Sequence, residues 1–185
     1  MSFKEFWQRY RGEIGKLLVT HVAIAVFSIM CSSPLFVTDI QSLDSMLAIF
    51  ILVTVFIFAF YYYLIRSQLW TLGAKNKISA DGGRMKLCPL AGFYMGLIAA
   101  IPGLILDIVF IVSVIFVDNG GVSSVLSACA WLEFLWNAPV AALYIVTQIP
   151  YLYLASTLLP VLFAGIAYYC GTKEFAIFGI PQKKR

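Results

Sequence analysis

Apolar residues in this chain run in long blocks, without the polar positions that a soluble helix or strand interposes every few residues. Three blocks, Leu17 to Val37, Ser45 to Ile65 and Leu90 to Val117, reach the roughly 20 mainly apolar residues that a helix needs to cross the hydrocarbon core of a bilayer. They predict membrane-spanning helices over 17–37, 45–65 and 90–117. The apolar stretch after Asp118 is harder to divide, because Glu133, Asn137, Pro139, Pro150 and Pro160 interrupt it.

Charge resolves the division. All 13 Lys and Arg residues fall in three groups: Lys4, Arg9, Arg11 and Lys16; Arg66, Lys75, Lys77, Arg84 and Lys86; and Lys173, Lys183, Lys184 and Arg185. Because Lys/Arg bias marks cytoplasmic segments, the N-terminus, a loop over 66–89 and a tail over 170–185 are expected in the cytoplasm, with Asp39, Asp44, Asp118 and Glu133 outside. The stretch between Asp118 and Lys173 must then cross an odd number of times. It is too short for three crossings, so one is predicted, over 151–169. The expectation is an all-α protein of the plasma membrane: a single domain over 1–185, a four-helix bundle with both termini cytoplasmic.

Two segments outside these spans have helical periodicity. Phe3, Phe6, Trp7, Tyr10 and Ile14 share a face beside Lys4, Arg9 and Arg11, which predicts an amphipathic helix over 1–16 on the inner membrane surface. A signal peptide is the competing reading; no small-x-small pattern closes the run, so an uncleaved first helix is favoured. Within the outer loop over 118–150, Ser123, Ser127, Ala130, Glu133 and Asn137 recur on one face, away from Leu126, Trp131 and Phe134. This predicts an interfacial helix, with an inward dip before Pro150 as the alternative.

Composition agrees with the pattern: 62% of residues are hydrophobic and 12% charged, against roughly 45–50% and about 25% in soluble domains. The net charge of +4 sits beside apolar runs, which points to anionic membrane lipids as partners and away from nucleic acid. Cys31, Cys88, Cys129 and Cys170 have no metal-ligand spacing, and His21 is the lone histidine. The cysteines read as buried apolar side chains, with a Cys31–Cys129 disulfide as the alternative.

The third span carries the most information. Gly92, Gly96, Ala99, Gly103 and Asp107 share one face, a stripe of small residues where another backbone can approach. A helix of the same chain is the favoured partner; another membrane subunit or a second copy is the alternative. Pro102 frees a backbone carbonyl and predicts a local kink. Asp107 lies within hydrocarbon, where a central carboxylate costs roughly 2.5–3.5 kcal/mol. It is either an ion or proton site, or a neutral carboxyl bonded to Ser28, Ser32 or the carbonyl released by Pro102. His21 reads as an interfacial hydrogen-bonding side chain at a different depth. Tyr61, Tyr62, Tyr63, Tyr168 and Tyr169 read as an anchoring belt at the inner boundary.

Gly92 to Pro102, Pro160 and the closing Tyr168, Gly171 and Lys173 resemble a group of small bacterial polytopic membrane proteins. The resemblance covers about a sixth of the chain and implies no activity. No clustered acids, His-Glu-x-x-His, G-x-S-x-G or phosphate-binding loop occurs, so neither an enzyme nor a cofactor is expected. The first reading of function is a non-enzymatic membrane subunit or scaffold; the second is a small transporter or channel using Asp107.

Overall fold

The first helix starts on a capping box. Ser2 Oγ accepts the Glu5 backbone N–H at 3.3 Å, and the Glu5 carboxylate accepts the Ser2 N–H at 3.0 Å, so donors without intrahelical partners are satisfied reciprocally. In the computed structural model, which describes residues 2–37, 43–118, 123–149 and 151–174, this helix, α1, runs without a break over Phe3–Val37. The segment expected to form a separate helix over 1–16 is therefore continuous with the first span. Phe6, Tyr10, Ile14 and Leu17 are all buried, and their spacing of four, four and three makes one stripe facing the bundle. Of the face read as lipid-binding, Phe6, Tyr10 and Ile14 pack into the bundle, while Phe3 and Trp7 are exposed.

The second helix, α2, covers Leu43–Asp81, so most of the expected loop over 66–89 is helical. No proline or glycine pair interrupts the sequence until Gly82 and Gly83. There the Arg84 N–H donates to the Ser79 carbonyl at 3.0 Å and Gly83 takes a φ of 70°, a left-handed C-terminal cap suited to glycine. The remaining helices are α3 over Ala91–Asp118, α4 over Ser123–Trp136, α5 over Ala138–Thr147 and α6 over Tyr151–Thr172. No strand occurs among the described residues.

Helix α6 packs most extensively on α2 and α3. Its approach to α2 is close because Gly73 faces the Tyr168 carbonyl and Gly171 faces the Trp70 carbonyl; a Cβ at either position would overlap main-chain atoms. At Gly92 an added Cβ would lie 2.5 Å from the Ala164 carbonyl oxygen and from Tyr168 Cβ, and at Gly96 it would lie 3.0 Å from Val161 Cα. The small-residue face of α3 thus lies against α6 of the same chain.

α4 and α5 form a helical hairpin inside the bundle. α4 runs along α3, while α5 contacts α2, α1 and α6. Gly103 lies beside the Trp136 indole, about 22 Å along α3 from Asp118 at 1.5 Å per residue. The expected interfacial helix therefore descends deep into the bundle. Its polar stripe, through Glu133 and Asn137, points inward, while Trp131, Leu132 and Leu135 point outward.

Four helices, Phe3–Ser33, Leu47–Asp81, Ala91–Ser113 and Tyr151–Thr172, are long and apolar enough to cross a membrane. Around them the outward-facing residues include Val19, Met30, Leu52, Val55, Ile105 and Ile108, and the fully buried ones include Asp107, Glu133 and Asn137. Apolar outside and polar within is the inverse of a soluble bundle and fits a multi-pass membrane protein. Described Lys and Arg residues gather toward one end, and none occurs in 17–65 or 87–172. Asp39, Gly120, Lys183, Lys184 and Arg185 lie outside the described residues, as do the side chains of Ser123 and Ser127.

Candidate functional site

The site begins with a broken helix. Pro139 has no N–H to donate to the Leu135 carbonyl, and its ring would crowd that carbonyl, so α4 stops at Trp136. Asn137 takes φ −96° and ψ 28°, and α5 restarts with the proline in its first turn. There the missing N–H costs nothing. The Val140 N–H donates to the Asn137 carbonyl at 3.0 Å rather than to Trp136, whose carbonyl is left free for another donor.

That donor is His21. Its Nε2 lies 3.1 Å from the Trp136 carbonyl oxygen, and its Nδ1 lies 3.0 Å from the Tyr61 hydroxyl. A carbonyl only accepts, so Nε2 carries the proton; in the neutral ring Nδ1 then accepts from Tyr61. His21 and Tyr61 are both buried, which corrects the expected interfacial histidine and removes Tyr61 from the anchoring belt. Tyr168 leaves the belt too: it is buried, and its hydroxyl accepts from Asn76 Nδ2 at 2.9 Å. Tyr63 and Tyr169 remain exposed.

On the other side of the break, the Asn137 amide bridges two acids. Its Nδ2 donates to Asp107 Oδ1 and to Glu133 Oε1, each at 2.9 Å, and its Oδ1 accepts from the Thr157 hydroxyl at 3.3 Å. The orientation of the amide is fixed, since both neighbouring oxygens are acceptors and the third is a donor. Every polar atom of the Asn137 side chain is used. Asp107, Glu133 and Asn137 are each 0% exposed.

Two carboxyl oxygens remain without a partner, Asp107 Oδ2 and Glu133 Oε2, and the two carboxyls share the Asn137 amide. Two carboxylates about 4 Å apart would repel by about 4 kcal/mol at an effective dielectric of about 20. Desolvation adds several kcal/mol for each ion. Asn137 returns only roughly 1–2 kcal/mol per interhelical hydrogen bond. No Lys or Arg in 87–172 stands near to offset the charge. The balance is against two ionised carboxylates side by side in this dry site.

A cavity of about 20 Å³ lies on the basic-end side of this cluster, lined by His21, Tyr61, Trp136, Thr157 and Pro160 among others. It is large enough for one water. Thr157 thus touches both the Asn137 amide and the cavity, and the cavity leads to His21. Asp107 and His21 do not pair; they meet opposite sides of the α4–α5 break.

Asp107 therefore binds neither Ser28 nor Ser32. Ser28 Oγ donates within its own helix to the Ile24 carbonyl at 2.6 Å, and the nearer donor is Asn137. Glu133, expected to face outward from an outer loop, is the second acid of the pair. Gly103 opens room for the Trp136 indole, while Gly92 and Gly96 seat α6; Ala99 lines the cavity. The four cysteines are free, so Cys31 and Cys129 form no disulfide. Sequence reading missed Glu133 and Asn137 as partners of Asp107, although their shared spacing of four with Pro139 two residues on marked a polar face ending at a break. Comparison with protein-family models, with curated proteins and with solved structures finds no match to this chain.

Proposed function

We propose that this is a small proton-handling membrane protein, a carrier or channel in which the Asp107–Glu133 pair takes up and releases a proton as part of transport. The observation that supports it most is the pair itself: two fully buried acids joined by one amide at a helix break, each with a free oxygen. A purely structural role needs no titratable group here, because an amide would make the same bonds at lower desolvation cost. Intramembrane acids facing a bundle interior commonly serve proton relays, and interrupted helices at membrane depth commonly line substrate pathways. In this reading the protein lies in the plasma membrane with the basic end of the bundle in the cytoplasm, an orientation that the distribution of Lys and Arg supports.

One observation favours the scaffold reading instead: the cavity beside the site is small and does not touch either carboxyl. Transport therefore requires that the α4–α5 hairpin move, and the hairpin tip is held by only a few polar contacts, from His21, Asp107 and Thr157. Reconstitution into vesicles with an imposed pH gradient and an enclosed pH-sensitive dye separates the two. Proton flux that is lost in Asp107→Asn and in Glu133→Gln, with insertion and melting unchanged, supports the proposal. Flux that survives the double variant, or no flux from the wild-type chain, leaves the scaffold.

A further inference from the structure

We propose that the groove between the start of α1 and the turn entering α3 binds an anionic phospholipid of the surrounding bilayer. The groove has two adjoining halves. The polar half, of about 570 Å³, is lined by Glu5, Gln8, Arg9, Met85 and Lys86. The apolar half, of about 600 Å³, includes Phe3, Phe6, Leu87, Pro89, Tyr94 and Leu97. Lys86 lines both, so a cation stands where the two halves meet.

The charges suit a phosphate. Arg9 and Lys86 are exposed and enter no ion pair among the described residues. The one acid of the groove, Glu5, is turned to the Ser2 backbone N–H by the capping box. An excess of positive charge therefore faces the polar half. The apolar half continues along α3 through Tyr94, Leu97, Ile101 and Ile105, which are 49%, 46%, 47% and 57% exposed. Their spacing of three, four and four makes a stripe on the outer surface of the bundle. A molecule with a phosphate at one end and an acyl chain at the other fits this sequence of surfaces, and a bilayer supplies it in the required orientation.

The acyl chain of any lipid gains similarly from the apolar stripe, so discrimination rests on the two cations. At roughly 1 kcal/mol per basic residue near a membrane surface, they should give about a 30-fold preference for an anionic over a zwitterionic headgroup. The test is native mass spectrometry of the full chain in detergent, titrated with phosphatidylglycerol or with phosphatidylcholine of the same acyl chains. The wild-type chain should prefer phosphatidylglycerol by about that factor. The exposed double variant Arg9→Gln, Lys86→Gln should lose the preference while keeping its melting temperature. Lys77→Gln, which removes a charge that is paired with Asp81 and lies outside the groove, should retain it. Equal binding of the two lipids by the wild-type chain overturns the proposal, as does loss of preference in Lys77→Gln equal to that in the double variant. Displacement of phosphatidylglycerol by millimolar inorganic phosphate would show a free-anion site and overturn it too.

Discussion

Asn137 holds together groups that have little other reason to be near one another. Its amide supplies two donors to two acids and one acceptor to Thr157, so Asn137→Ala removes three hydrogen bonds and leaves buried polar atoms unsatisfied. The expected loss is about 2–3 kcal/mol, read as a lower melting temperature in mild detergent. Asp107→Asn should change stability by less than about 1 kcal/mol: the amide oxygen still accepts from Asn137, and its N–H₂ replaces the donor of a neutral carboxyl. Equal destabilisation by both variants would mean that the carboxyl is ionised and held by charge. In the sequence, Asp107 was legible as an isolated acid in an apolar helix. Its partners were not, because Glu133 and Asn137 lie 26 and 30 residues away, in a segment whose tryptophans fit an interface equally well. Periodicity gives a polar face without saying which way it points; in a membrane it points inward.

Helices in this molecule meet most closely where glycine leaves the backbone bare. Gly92→Ala should already destabilise, because its Cβ would meet the main-chain oxygen of Ala164 at 2.5 Å, and a helix backbone cannot give way cheaply; overpacking of this kind costs typically 1–3 kcal/mol. Gly12→Ala is the matched control. Nothing lies within 4 Å of its added Cβ, so it should be neutral or stabilising by about 0.5–1 kcal/mol through helix propensity alone. Thermal melts of the two variants side by side check this, and similar behaviour would mean that the stripe is not a contact. The four long helices were readable from block length and from the Lys/Arg groups, since both follow from the thickness and charge of a bilayer. Helix ends were less readable. Both α1 and α2 extend well past their apolar blocks, because the end of hydrocarbon does not end a helix; Tyr10 and Asn76, beyond the blocks, bond to each other at 3.1 Å. Only glycine, proline or a cap stops the ladder, as Gly82–Gly83 and Pro139 do.

The bundle as a whole has a basic end and an end without Lys or Arg among its described residues, and this asymmetry supports the proposed orientation. In a cysteine-free background, new cysteines at Asp44 and Asp118 should react with a membrane-impermeant thiol reagent on intact cells, while one at Lys77 should not. Labelling at Lys77 would invert the molecule. At this scale the buried acids are a feature of the described residues that membrane packing does not demand, and the proposed activity stands on their protonation. Infrared spectroscopy of the purified chain at neutral pH, in water and in deuterium oxide, observes that state without assuming a substrate. The wild-type chain should show a protonated-carboxyl C=O band that shifts on deuteration, and the band should vanish in the Asp107→Asn, Glu133→Gln double variant. Absence of the band at neutral pH, or its persistence in the double variant, would contradict an exchangeable proton on the Asp107–Glu133 pair.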